Sequence, residues 1–140
     1  MTMTRAIAAA LLTLFPLGAE AQIRDGVFGD YAAYDAYVTD TVMHRRFEDF
    51  VQNLGGRDEY TDNELAAAVG GLMRAFPRDF EEGRVMKLVP LENGFFQEAR
   101  AFWVGDAYGF YYALLHDNGE HIVVLNFTLN TDVDVILQKF

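Results

Sequence analysis

His116 and His121 bracket the segment Asp117-Asn118-Gly119-Glu120. Asn-Gly accepts the positive φ of a tight hairpin turn. A two-residue turn there pairs Asp117 with Glu120 and sets His116 directly opposite His121. Opposed imidazoles can share a metal ion or move a proton near neutral pH. In that register Asp117 and Glu120 point to the other face, so no third ligand or orienting acid stands beside the histidines. No metal and no cofactor is therefore expected. His116, His121 and Tyr112, which shares their face, are the candidate proton carriers.

A second constellation follows from Asn93-Gly94. A two-residue turn there sets Lys87 opposite Arg100, with Glu98 diagonal to them and Tyr111 next along. Facing cations need a neutraliser, either Glu98 or a bound anion; a surface salt-bridge cluster is the plainer account. Third, Trp103, Tyr108, Phe110 and Tyr112 share a face. They can line an apolar pocket with Gln97 as its polar group, or simply form core. Gln97, Trp103, Tyr108, Lys87 and Arg100 are thus the candidate binding residues. His44-Arg45-Arg46 reads as a solvated helix patch or an anion contact. The chain has no Gly-x-Ser-x-Gly, no His-Glu-x-x-His, no phosphate-binding glycine loop and no calcium loop. It has no cysteine, which excludes disulfides, thiolate metal sites and cysteine nucleophiles.

The elements that must position these residues fall into two halves. From Glu82 onward the hydrophobic period is two, and Asn93-Gly94, Gly105-Asp106 and Asn118-Gly119 each read as a two-residue loop. The result is an antiparallel meander with strands near 83–92, 95–104, 107–117 and 120–129. One face carries Met86, Leu88, the alanines 99 and 101, and the aromatics from Trp103 to Tyr112. Ala99 and Ala101 form a shallow trough where a helix can sit close. The other face mixes Lys87, Glu98, Arg100 and Tyr111 with Val85, Phe96, Phe102 and Leu115. Such a mixture suits contact with a second subunit or with the rest of the chain. The tail 131–140 alternates β-branched residues, which favours a fifth strand over the short helix that Thr131-Asp132 could cap.

Before the meander the period is helical. In residues 31–54, Tyr31, Tyr34, Val38 and Val42 form one stripe. Met43, Phe47, Phe50, Val51 and Leu54 form another, about half a turn around. Either the helix breaks near Thr39–Val42 or its halves face different partners. Thr61-Asp62-Asn63-Glu64 is a capping box, opening a helix that Pro77 stops. Gly70-Gly71 inside it costs about 1 kcal/mol per glycine relative to alanine, tolerable if another element approaches closely there. Residues 22–30 read as an extended lead-in.

Residues 1–21 have the form of a secretory leader: Arg5, an apolar run from Ala6 to Phe15, then Ala19-Glu20-Ala21, with cleavage between Ala21 and Gln22. Arg5 and Glu20 leave together, so the net charge of −10 is unchanged. That charge disfavours nucleic acid and anionic membrane surfaces as partners. The expected product is a periplasmic or secreted chain with one domain over 31–140 and no membrane anchor after cleavage.

The fold class expected is α+β, with N-terminal helices packed on a four- to five-stranded antiparallel meander. The order helix, helix, four strands from residue 31 to 129 resembles the cystatin-like and nuclear-transport-factor-2-like domains, though the usual hairpin between the helices of the latter is missing. That resemblance implies a cone-shaped sheet, a pocket and frequent dimers, but no particular reaction. The functional expectation is a small exported, non-catalytic binding or interaction protein for a small molecule or a protein, with homodimerisation through the mixed sheet face as one option. Two alternatives stand beside it: a pocket enzyme using general acid/base chemistry, and an inhibitor- or chaperone-like partner of another periplasmic protein.

Overall fold

The computed structural model describes residues 22–55 and 60–140; the leader read in residues 1–21 lies outside the described residues. Strands Gln22–Arg24 (β1) and Val27–Phe28 (β2) come first. Helices Tyr31–Met43 (α1), Phe47–Gly55 (α2) and Asp62–Ala75 (α3) follow. Then come strands Glu82–Pro90 (β3), Phe95–Val104 (β4), Ala107–Asp117 (β5) and Ile122–Asn130 (β6), and a short helix Val133–Leu137 (α4). The strands form one antiparallel sheet in the order β1-β2-β6-β5-β4-β3. The class is α+β. The segment 22–30 is more than a lead-in: it folds into a hairpin that extends the sheet beyond β6, through Val27 opposite Val123 and Phe28 opposite Ile122.

The helical half breaks slightly later than its two stripes suggest. Asp30 caps α1 by accepting from the Ala33 amide at 2.8 Å, and α1 ends at His44-Arg45-Arg46. Arg45 adopts φ 53°, the left-handed region. Its Nε donates to Asp79 at 2.9 Å and its guanidinium also reaches the Phe76 carbonyl at 3.3 Å. The turn rotates the second stripe by the half-turn that separates it from the first. Tyr34, Val38 and Val42 of α1 then share one core with Phe47, Phe50, Val51 and Leu54 of α2. The Thr61 capping box forms as read, with the Thr61 amide to Glu64 at 2.8 Å and the Glu64 amide to Thr61 at 3.2 Å. Helix α3 lies at the periphery: Leu65, Val69 and Leu72 are only partly buried. No close approach explains its glycines. A Cβ on Gly71 would meet nothing within 4 Å, and one on Gly70 would meet only the Arg74 side chain.

The sheet buries the face of mixed composition. Phe102, Val104, Tyr111, Ala113, Leu115 and Ile122 meet the helices there, so most of this face is interior. The aromatic face is partly covered by the tail, which is a helix and not a fifth strand. Asp132 accepts from the Asp134 amide at 2.9 Å. The cap allows Ile136, fully buried, to pack with Ala99 and Tyr112. The small-residue trough thus receives a helix, and burial of Ile136 outweighs the weak strand preference of Val133 and Val135.

Pairing of β4 with β5 follows the expected register, with Trp103 opposite Tyr108, Ala99 opposite Tyr112 and Phe95 opposite His116. The two outer pairings slip. Between β3 and β4 the loop takes three residues, Glu92-Asn93-Gly94, closed by the Leu91 amide on the Phe95 carbonyl at 2.7 Å. Gly94 has φ 83°, and a Cβ there would lie 2.2 Å from the Asp117 carbonyl oxygen. A bulge between Val85 and Lys87 adds a second shift, so Lys87 faces Ala99 and Arg100 faces Val85. Between β5 and β6 the loop takes four residues. The Asn118 side chain accepts from the Glu120 and His121 amides at 3.0 and 2.8 Å, a local bond that displaces the two-residue turn. Asp117 therefore faces Ile122, and His116 faces Val123.

Candidate functional site

A polar island lies inside the core where α1 crosses β4 and β5. Glu98 is fully buried and Arg100 is 2 % exposed. They are two residues apart on one strand, so both point to the helices. Arg100 donates to Glu98 Oε1 at 2.9 Å, to Asp35 at 2.6 Å and to Thr39 at 3.2 Å. Tyr31 donates to Glu98 Oε1, and Tyr34 donates to Glu98 Oε2 at 2.7 Å. The Tyr34 and Tyr111 hydroxyls are 2.9 Å apart. Tyr31, Tyr34, Asp35 and Thr39 repeat at helical spacing, which is why one helix can supply all four. Arg100 Nε is, among the described residues, the buried side-chain nitrogen without a partner.

This island ties α1 to the sheet through buried hydrogen bonds. Both Glu98 oxygens are occupied, one accepting from Tyr31 and Arg100 and the other from Tyr34. Burial, followed by contact with Glu98, raises the Tyr31 phenol well above its usual range. Burial, followed by Tyr111 and Glu98, does the same to Tyr34. Tyr111 is likewise raised by burial. The guanidinium of Arg100 is held charged: burial opposes the charge, and the Glu98 hydrogen bond and charge overcome that. Tyr31 and Tyr34 thus stay protonated as donors to Glu98, and Tyr111 stays protonated beside the Tyr34 hydroxyl.

Tyr31, a member of the island, also lines an open cavity. That cavity, about 390 Å³, is walled by Leu88, Pro90, Leu91, Phe95, Phe96 and Ile122, with Gly94 and Asp117 at one side. Leu88 and Leu91 in its wall stand 53 % and 48 % exposed. A second cavity of about 230 Å³ shares Tyr31, Asp117 and Ile122 with the first and continues past Asp30, Glu120 and His121. The three-residue loop at Gly94 and the four-residue loop at Asn118 build these walls.

The residues proposed from sequence separate. His116 stacks on Phe95 at 4.0 Å between ring centroids, with Nε2 3.1 Å from the Asn93 carbonyl oxygen. His121 belongs to the second cavity. The register that set them opposite each other does not form. Arg100, Glu98 and Tyr111 do cluster, but in the interior and without Lys87. Lys87 lies on the opposite face with Nζ 4.4 Å from the Phe140 ring centre. Gln97 is not a pocket group: its amide donates to Tyr112 at 3.1 Å and to the Lys139 carbonyl at 2.7 Å, fastening the tail. Tyr112 is buried by that tail. Trp103 stacks on Tyr108, which is 48 % exposed and stacks in turn on Phe110 at the edge of the cluster around Ile136. Tyr31, Leu88, Leu91, Asp117, Asp30 and Glu120 were not among the candidates. The helical spacing of Tyr31 and Tyr34, set against Glu98 and Arg100 at strand spacing, is the signal that leads to them. Comparison with family models, curated proteins and solved structures finds no match to this chain.

Proposed function

We propose that this chain is an exported, non-catalytic binding protein whose ligand is a small, largely apolar molecule seated beside Tyr31. The observation that carries this reading is the 390 Å³ cavity, whose wall is almost wholly aliphatic and aromatic. Its size falls at the lower end of the range typical of small-molecule sites. A general acid/base enzyme would need a titratable group with spare valence facing the substrate. Here Glu98 is buried with both oxygens accepting from Tyr31, Tyr34 and Arg100, the His116 ring is stacked on Phe95, and Asp117, the titratable group at the side of the cavity, is read as a binding group. The leader-like residues 1–21 support export, and the helices-then-meander order supports the cystatin-like or nuclear-transport-factor-2-like resemblance.

Titration with Nile red, a neutral apolar dye, tests the reading. Saturable fluorescence enhancement is expected with a stoichiometry of one. Leu88→Glu and Leu91→Glu place a charge at the mouth at positions already half exposed, so folding survives. Each should weaken the dye by about tenfold or more, the effect of roughly 1.4 kcal/mol. Dye binding that is absent, or indifferent to both substitutions, overturns the proposal. Intact mass of the exported protein, beginning at Gln22, tests the export half.

A further inference from the structure

We infer that Asn118 is a site of self-modification: the loop between β5 and β6 carries the groups that convert its own asparagine, through a cyclic imide, to aspartate and isoaspartate. At an Asn-Gly step the glycine amide must lose its proton, the side-chain carbonyl must be polarised as the nitrogen attacks it, and water must reach the product. Asn118-Gly119 meets each need. Asp117 Oδ1 accepts from the Gly119 amide at 2.9 Å, so a carboxylate already holds the proton that has to leave. Asn118 Oδ1 accepts from the Glu120 amide at 3.0 Å and from the His121 amide at 2.8 Å. Two main-chain donors on one carbonyl oxygen form the arrangement that stabilises an oxyanion. Asp117, Asn118, Gly119 and Glu120 are all exposed to water. Gly119 has φ 88°, and nothing lies within 4 Å of where a Cβ would stand, so the ring has room to close.

The reaction balances within the loop and needs only water from outside it. The Gly119 nitrogen bonds to Asn118 Cγ as its proton passes to Asp117, and the charge that develops on Asn118 Oδ1 sits between the two amides. Collapse restores that carbonyl and breaks the Cγ–Nδ2 bond. The nitrogen leaves as ammonia with the proton from Asp117, which is a carboxylate again. Water then opens the imide. Attack at Cγ gives aspartate; attack at the main-chain carbonyl gives isoaspartate, which sets an additional methylene in the backbone. Nothing is oxidised or reduced. Gly119, Glu120 and His121, which line the smaller cavity, move with the lengthened chain.

The second Asn-Gly of the chain, Asn93-Gly94, is an internal comparison. Its bonds engage main-chain carbonyls, which are not the reacting atoms: the Asn93 oxygen lies 3.1 Å from His116 Nε2, and the Gly94 oxygen accepts from the Asp117 amide at 2.9 Å. Purified protein is held at neutral pH, folded or in guanidinium chloride, then digested. Mass spectrometry reads amide-to-acid conversion at each asparagine, and isoaspartyl methyltransferase labelling reads isoaspartate. Asn118 is expected to convert about tenfold faster folded than denatured, because the base and the two donors are assembled only in the folded loop. Asn93 is expected to convert more slowly folded than denatured. Asp117→Asn still offers the Gly119 amide an acceptor but takes no proton, and should slow Asn118 in the folded chain by about tenfold; fragmentation separates any conversion at position 117. Conversion of Asn118 that is no faster in the folded parent chain overturns the inference without recourse to a variant. An unchanged rate in Asp117→Asn overturns it as well. Dye binding by fresh protein is independent of these outcomes, so the cavity reading stands or falls separately.

Discussion

Glu98 and Arg100 lie two residues apart on β4 and meet at 2.9 Å inside the core, both out of solvent. Residues at this spacing on a strand share a face, so the ion pair is built by local geometry and enclosed by α1. Removing one partner leaves the other charge buried and alone. Arg100→Met is therefore expected to cost about 3–5 kcal/mol, whereas Glu98→Gln with Arg100→Met should recover a substantial part of that. Urea unfolding of the parent protein and the two variants measures this. A loss from Arg100→Met below roughly 1 kcal/mol would mean that water reaches the pair.

The tyrosines of the island predict an alkaline limit. Tyr31, Tyr34 and Tyr111 of the island, and Tyr37 outside it, are all shifted up, burial being the largest cause for each. A group with a raised folded pKa contributes stability that is complete below its unfolded value and disappears as pH rises toward the folded value. The unfolded reference is 10.0. These four phenols thus leave stability unchanged below about pH 9 and reduce it progressively above about pH 10. Absorbance at 295 nm should show their phenolates appearing together with unfolding. Smooth ionisation of all seven tyrosines while the far-ultraviolet dichroism stays native would refute this.

Helix α3 should respond in opposite directions at its two informative positions. Thr61→Ala removes the cap and should cost about 1 kcal/mol. Gly71→Ala adds a methyl group into open space, and should stabilise by about 0.5–1 kcal/mol. Thermal unfolding of both variants decides it. A destabilising Gly71→Ala would reveal a contact in that place.

Ile136 closes the aromatic face. Ile136→Ala is expected to cost about 2–5 kcal/mol and to free the tail from Ala99 and Tyr112. Faster protease cleavage after Lys139 would accompany the loss, since Gln97 holds the Lys139 carbonyl only while the tail is seated. Unchanged stability would show that α4 is dispensable.

Much of the fold can be read from spacing alone. The capping box, the β4–β5 register and the trough at Ala99 each depend on residues close in sequence or on a single tight turn. The candidate site was less legible because it depends on two loops. Each of them is lengthened: at Asn118 by a side-chain bond, and at Gly94 by packing onto the Asp117 carbonyl. One extra residue in the Gly94 turn reverses which side chain faces inward and removes the Lys87–Arg100 pair, while two extra residues at Asn118 place His121 in the loop and remove the histidine pair. The choice of buried face was misread for a different reason. Glu98, Arg100 and Tyr111 look like surface residues until α1 brings the groups that neutralise them.

The pairing of Phe28 with Ile122 has a consequence for how the chain reaches this structure. The first residues of the sheet cannot find their neighbours until nearly the whole polypeptide has been released from the ribosome. Contacts this distant in sequence slow folding. On the export reading proposed above, a chain crossing a membrane as an unfolded thread would gain from that delay, since the hairpin at Gln22–Phe28, next to the proposed cleavage point, is also one of the last pieces able to lock the sheet.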